Sequence, residues 1–287
     1  MGIPFVQFGQ SGPIMHFGHA NGYPPEAYCS LLESLACQYQ VLAMRMRPLW
    51  PGADPFQLSD WRPLADDLHA FLSQQHLETV IGLGHSMGAT TALRLAILYP
   101  QQFSSLVLID PVLFLPRMVY QMRLIYRLGL SYRLHPLASA ALRRRRIFPT
   151  RLAMFENYRS KSVFHLLDDA ALWCYVEALA RVNPDGQFEL DYSPEWEARI
   201  YVTGVLADMD LWKGLGRLVP PVLVIRGEWS DTFREAGARL LIKRLPTAQI
   251  KTIPESTHLV ALEKPLQVRD CILEFLNRQS FHKKDTQ

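Results

Sequence analysis

The chain has only four cysteines in 287 residues: Cys29, Cys37, Cys174 and Cys271. None forms a CxxC pair, and none sits with histidines at zinc-ligand spacing. A structural zinc module is therefore excluded, and a reduced, cytoplasmic chain is the expectation. No uninterrupted apolar run reaches the roughly 18 residues that a membrane-spanning helix needs. Met1 to Gly12 has no basic segment, and Pro4 and Gly9 break its apolar residues, so it does not read as a secretory signal. An excess of one charge sign is also missing. The formal net charge is only +3, too little to mark a nucleic-acid partner. No internal repeat and no low-complexity tract appears, which argues against a solenoid or a long linker.

What is present is a globular composition, 49% hydrophobic and 20% charged, enough for one large domain or a core with an insertion. Short β-rich apolar runs occur at Ile14–Phe17, Val41–Met44, Thr79–Leu83, Leu106–Ile109, Val222–Ile225 and Gln249–Ile253. Most lack a period of two, as expected of parallel strands buried on both faces. Helical stretches at Pro25–Gln38 and Pro63–Gln75 alternate with the early runs. In the second, Leu64, Leu68, Phe71 and Leu72 fall at helical spacing. The alternation predicts a three-layer α/β/α sandwich with a mostly parallel sheet, and Pro4–Phe8 reads as a short antiparallel edge strand. After Asp110 the alternation stops. Residues 111–204 read as helices inserted over the C-terminal edge of the sheet, a lid. The core is then 1–110 and 205–287.

Gly84-His85-Ser86-Met87-Gly88 has the pattern G-x-S-x-G. Such a match arises by chance in on the order of one chain in ten of this length, so its context must carry the argument. Strand-like Thr79–Leu83 precedes it, and a helical run from Ala89 to Leu98 follows it. A strand turning sharply into a helix exposes the serine and aims free backbone N–H groups at developing negative charge. A serine nucleophile needs a base to take its proton, and histidine titrates in the right range. His258 lies between the last predicted strand and a final helix, Leu266–Asn277. Loops that follow parallel strands gather at one sheet edge, where His258 can meet Ser86.

The base in turn needs an orienting carboxylate. Asp231, in the loop after Val222–Ile225, is the favoured candidate. Glu228 in the same loop and Asp110 after the preceding strand are the alternatives. Asp231 also precedes Thr232-Phe233-Arg234-Glu235, a capping-box pattern that could make it a helix N-terminal acid. An acyl-transfer site needs two backbone donors for the oxyanion. One is the N–H of Met87, and the other is expected from the loop Gly18-His19-Ala20-Asn21-Gly22.

With these elements in place, the chain resembles the α/β-hydrolase superfamily from about Pro13 to Asn277. The resemblance rests on the elbow Gly84–Gly88, the chain order Ser86, Asp231, His258, and His19-Ala20-Asn21, which looks like the family's HG-x oxyanion motif with Ala20 at the glycine. It implies that Asn21 supplies the second oxyanion donor and that Asp231 is the acid. It further implies hydrolysis of an ester or related acyl bond through an acyl-enzyme on Ser86, with no metal or organic cofactor. The same residues would serve an acyltransferase, or a ligand-binding receptor of the same fold that turns over slowly.

Tyr23, Phe114 and Trp229 each stand beside a catalytic loop and are candidate pocket walls, with core packing as the alternative role. An apolar lid suits a small hydrophobic acyl or aromatic ester. Residues 111–204 carry a net +4, leaving the remaining chain at −1. Within them, 111–161 hold 11 basic residues and one acid, Glu156, whereas 162–204 hold 2 basic and 8 acidic. The two halves could neutralise one another. The alternative is an arginine-rich face that contacts anionic membrane.

Overall fold

The computed structural model describes residues 2–284. Seven strands form the main sheet: β1 (Phe5–Phe8), β2 (Ile14–Gly18), β3 (Gln40–Met44), β4 (Val80–His85), β5 (Phe103–Ile109) and, beyond the insertion, β9 (Val222–Gly227) and β10 (Gln249–Ile253). Their order is β1-β3-β2-β4-β5-β9-β10. All pairings are parallel except β1 with β3, where Phe5 faces Met44 and Phe8 faces Val41. The edge strand at the N-terminus is thus antiparallel, as its sequence suggests. β4 and β9 are buried at every position, which explains why neither alternates in hydropathy.

The chain reverses direction across the sheet between β2 and β4, the neighbouring strands that feed outward to either edge. Helices α1 (Cys29–Ala36), α2 (Arg62–Gln74) and α3 (Met87–Leu98) connect the first strands, while α11 (Glu235–Arg244), α12 (Val260–Glu263) and α13 (Pro265–Lys284) complete the layers. α2 buries Leu64, Leu68, Phe71 and Leu72, the stripe expected from their spacing. The chain therefore has the α/β hydrolase fold, with a mostly parallel sheet between helices.

Between β5 and β9 lie α4 (Pro116–Arg127), α5 (Ser131–Leu134), α6 (Pro136–Leu142), α7 (Arg151–Arg159), α8 (Asp169–Leu179), α9 (Pro194–Thr203) and α10 (Asp208–Gly214). This segment is mainly helical but contains three short strands that its sequence does not announce: β6 (Ile147–Phe148), β7 (Ala180–Val182) and β8 (Phe188–Leu190). They form a small antiparallel sheet ordered β6-β8-β7. Strands of two or three residues are too short to produce a readable period.

The expectation of four reduced cysteines is corrected. Cys29 on α1 and Cys174 on α8 form a disulfide across a sequence separation of 145, while Cys37 and Cys271 are free. The bond ties the core to the inserted segment. Spacing could not reveal it, because the two cysteines meet only when α8 packs beside the start of α1. No helix among the described residues is long and apolar enough to cross a membrane.

Candidate active site

Ser86 stands between β4 and α3 with φ 54° and ψ −115°. Positive φ at a residue with a Cβ is costly and persists only where the surroundings enforce it. Here the enforcement comes from glycines. A Cβ on Gly88 would lie 2.1 Å from the carbonyl oxygen of Gly18, and one on Gly84 would lie 2.6 Å from the backbone of Ala89. Only glycine lets β2, β4 and α3 approach this closely. The Ser86 N–H donates to the Ile109 carbonyl at 2.9 Å, pinning the turn to the neighbouring strand.

His258 reaches this serine from the loop after β10. Its Nε2 is 2.9 Å from Ser86 Oγ, and its Nδ1 is 2.9 Å from Asp110 Oδ1. The carboxylate can only accept, so Nδ1 carries the proton and Nε2 is free to accept from the serine hydroxyl. Glu263 braces the loop by accepting from the Thr257 N–H at 2.7 Å and from its hydroxyl at 2.5 Å.

The favoured acid, Asp231, is therefore not the partner of His258; Asp110 is. Asp110 is fully buried. Besides His258, it accepts from Ser230 Oγ at 2.6 Å, Gly227 N–H at 3.0 Å and Phe233 N–H at 3.3 Å. The loop after β9 thus wraps around the Asp110 carboxylate and supplies donors to it. Asp231 is exposed, and its carboxylate accepts from the Thr232 hydroxyl at 3.2 Å. The capping box does not form either, because α11 begins at Glu235 with no side-chain cap at Arg234. Glu228, the other alternative, accepts from the Glu255 N–H at 3.0 Å. One sequence signal did favour Asp110. It directly follows the wholly apolar run Leu106–Ile109 at the end of a buried strand, whereas Asp231 sits in a polar loop.

The loop after β2 lies against the elbow, because Gly88 N–H donates to the His19 carbonyl at 3.1 Å. The Ala20 N–H is taken by the Tyr28 hydroxyl at 3.2 Å. Among the described residues, the N–H groups of Asn21 and Met87 have no protein acceptor. Met87 is the first residue of α3, where no intrahelical acceptor exists. The side chain of Asn21 is fixed from above by the inserted segment: Nδ2 donates to the Glu197 carbonyl at 3.0 Å, and Oδ1 accepts from the Tyr192 hydroxyl at 2.8 Å.

Two buried histidines hold this geometry; His19 was read only as part of the His19-Ala20-Asn21 motif and His85 only as a variable position of the elbow. His19 Nδ1–H donates to its neighbour's carbonyl at Ala20, while Nε2 accepts from the Met46 N–H at 3.0 Å. His85 joins three loops. Its Nδ1 is 2.7 Å from the Tyr28 hydroxyl, which itself holds Ala20, and its Nε2 donates to the His258 carbonyl at 2.8 Å. Desolvation lowers the pKa of His19 to about 4 and of His85 to about 3, so both are neutral connectors near pH 7.

A cavity of about 350 Å³ opens over Ser86. Tyr23, Phe114 and Trp229 all line it, together with Trp61, Ile200 and Leu259. Asp231 is also on its wall. Among the described residues lining it there is no arginine or lysine. What these groups can do chemically is move a proton from a serine hydroxyl to an imidazole while two backbone N–H groups receive negative charge.

Comparison with known proteins agrees with the fold. The model of the alpha/beta hydrolase family matches residues 17–270, and the chain belongs to that family. The chain is 26% identical over 220 residues to a Bacillus subtilis (strain 168) protein named "Putative 2-succinyl-6-hydroxy-2,4-cyclohexadiene-1-carboxylate synthase", covering 73% of this chain and 70% of that protein. Among solved structures it is similar to an E-2-(acetamidomethylene)succinate hydrolase, with TM-score 0.78 and 20% identity over 95% of this chain and 94% of that one. It is also similar to a thioesterase domain from the curacin biosynthetic pathway, with TM-score 0.73 and 15% identity over 95% and 99% of the two chains. At these identities the structural likeness speaks for the fold alone.

Proposed function

We propose that the protein is a serine hydrolase that cleaves an ester or related acyl bond of a small hydrophobic substrate. The observation that carries this reading is the His258 ring, hydrogen-bonded to Ser86 on one side and to Asp110 on the other. In the proposed reaction, Ser86 Oγ attacks the acyl carbon as its proton passes to His258 Nε2. The carbonyl oxygen takes the negative charge and is received by the N–H groups of Asn21 and Met87. The bond to the leaving alcohol then breaks, and the alcohol departs with the proton from Nε2. Water gives a proton to His258 and attacks the acyl carbon, and the serine oxygen recovers that proton as the acid leaves. Asp110 stays ionised and holds the imidazole in the required tautomer.

The cavity wall supports a substrate that is neutral at the acyl side. The names of two relatives refer to a carboxylate and to a succinate, yet among the described residues no arginine or lysine lines this cavity to pair with an anion. We therefore favour an uncharged acyl group packed on Trp61, Phe114 and Ile200, under the inserted segment acting as a lid. The test is a series of p-nitrophenyl esters of increasing acyl length, assayed with wild type and Ser86→Ala. Turnover by wild type that is lost in Ser86→Ala is the expected result. Activity that survives in Ser86→Ala overturns the assignment of the nucleophile.

A further inference from the structure

From Pro111 to Phe155 the sequence contains no acidic residue. Of the eleven basic residues in 111–161, only Arg144, Arg146 and Arg159 form ion pairs among the described residues, with Glu197, Glu195 and Asp169. Neutralisation by the acidic half is therefore partial. It also splits the run of four arginines. Arg144 is half-buried against Glu197 and the Tyr158 and Tyr175 hydroxyls, and Arg145 lies 4.8 Å over the Phe148 ring. Arg117, Arg127 and Arg133 have no carboxylate partner and are exposed.

The same surface is apolar where it should be polar. On α4 and at its C-cap, Tyr120, Leu124 and Leu128 recur at four-residue steps and are 61%, 60% and 62% exposed. The buried residue of that helix is Val119, and Arg123 turns inward to the Leu206 carbonyl. Leu134 and Leu137, on α5 and α6, are also more than half exposed. Large side chains exposed together at helical spacing mark a surface that meets something apolar. Arginines beside them supply attraction to an anionic layer.

This face also leads to the serine. A groove of about 260 Å³, lined by Met118, Met122, Ile125 and Leu134, opens beside it. The groove shares Phe114, His135, Leu137 and Asp231 with the cavity over Ser86. An apolar chain lying in a lipid layer could enter here without crossing water.

We propose that the face formed by α4, α5 and α6 docks on an anionic phospholipid bilayer, and that the groove admits the acyl chain of a lipid-borne ester to Ser86. The second half of this statement rests on the hydrolase reading, whereas the docking does not.

The test is flotation of the full chain with phosphatidylcholine vesicles, with and without phosphatidylserine, at low and high salt. Wild type and Ser86→Ala should both float with the phosphatidylserine vesicles at low salt, remain behind with phosphatidylcholine alone, and be released by salt. Each arginine at such a surface contributes on the order of fivefold in partitioning, so Arg127→Glu with Arg133→Glu should lower binding by about 20-fold or more. Leu124→Glu should also release the protein, and an unchanged melting temperature shows that each variant is folded. Absence of wild-type binding at low salt, or equal binding by the charge-reversed variant, overturns the docking. So does retention on soluble polyglutamate that Leu124→Glu leaves intact, which would assign the face to an acidic protein. Vesicle binding by a chain that hydrolyses no ester would leave the docking standing and remove the hydrolase reading alone. For the groove, Met122→Trp should lower the ratio of laurate to acetate turnover. An unchanged ratio overturns its role as the acyl channel.

Discussion

His258 Nδ1 lies 2.9 Å from Asp110 Oδ1, so the carboxylate that meets the imidazole follows the strand next to the one that carries Ser86 and not the later strand whose loop carries Asp231. β5 and β9 are neighbours in the sheet, and a carboxylate following either one could reach the same edge. What separates them is the local turn. Asp110 has φ 40°, which swings its carboxylate under the His258 loop. The two candidates therefore make opposite predictions. Asp110→Asn should reduce kcat by about 10³–10⁴-fold, because the amide no longer selects the right imidazole tautomer. Asp231→Asn should change kcat by less than about tenfold, since among the described residues its carboxylate accepts only from Thr232 and not from His258. Steady-state kinetics on one soluble ester compares them directly, and a larger loss in Asp231→Asn would reverse the assignment.

The close approach at the elbow predicts a folding defect as well as a catalytic one. In Gly88→Ala the new Cβ meets the Gly18 carbonyl oxygen at 2.1 Å, and both partners are backbone. Relief requires moving β2 away from α3, at a cost of about 3 kcal/mol or more. Gly52→Ala is a useful contrast. Its Cβ would meet nothing within 4 Å, although its φ of +73° still disfavours alanine by about 1 kcal/mol. Chemical denaturation should rank Gly88→Ala well below Gly52→Ala.

His85 predicts coupling between the loops it joins. Replacing it with Phe leaves the Tyr28 hydroxyl and the His258 carbonyl without their present partners. Each unpaired buried group costs about 1–3 kcal/mol. The His258 ring is also no longer fixed from its backbone side. We expect lower stability together with a fall in kcat that exceeds any rise in KM. A variant that loses stability but keeps kcat would show that His85 only supports the fold.

Acid should unfold the protein earlier than its surface charges suggest. Burial lowers the pKa of His16 and His85 to about 3 and of His19 to about 4, from 6.5 in the unfolded chain. Between about pH 4 and 6.5 the unfolded chain binds these three protons and the folded chain does not. Their stabilisation is complete above pH 6.5 and is lost as the pH falls. Asp208 acts the other way. Its pKa is pushed up to about 7 by burial, so its contribution grows as the pH falls through the same window. Three groups against one leave a slope of about 2–3 kcal/mol per pH unit. Urea midpoints measured from pH 7 to 5 should fall steadily, and a flat profile would contradict the buried, neutral state of these histidines.

The Cys29–Cys174 bond predicts two accessible thiols in the denatured, unreduced protein and four after reduction. Because the closed loop is long, the chain-entropy argument assigns the bond about 4–5 kcal/mol. Cys29→Ser with Cys174→Ser should therefore lower the melting temperature markedly. A thiol titration that finds four without reductant would remove the bond.

The strand runs, the elbow and His258 were readable because each depends on local chemistry. Buried parallel strands are apolar throughout, a strand-to-helix turn needs small residues around its serine, and a loop histidine after the last strand has few other uses. Of the inserted segment, the mainly helical character was legible where the alternation stops, but the strands at 147–148, 180–182 and 188–190 were not, because they are shorter than any pattern. Arginine numbers were plain in the sequence, but their pairing was not. Arg144 and Arg145 are adjacent, yet one pairs with Glu197 and the other lies on Phe148, since successive helical or turn positions face different ways.

The pairing of residues far apart in the chain was decided by tertiary structure alone. Cys29 and Cys174 meet because α8 packs on the start of α1. Asp110, rather than Asp231, meets His258 because β9 lies beside β5 and its loop folds around the earlier carboxylate. Sequence determined which residues could do the chemistry. Only the packing of β4, β5, β9 and the His258 loop determined which carboxylate stands within hydrogen-bond distance of the imidazole, because that distance depends on strand order and turn geometry and on no local pattern.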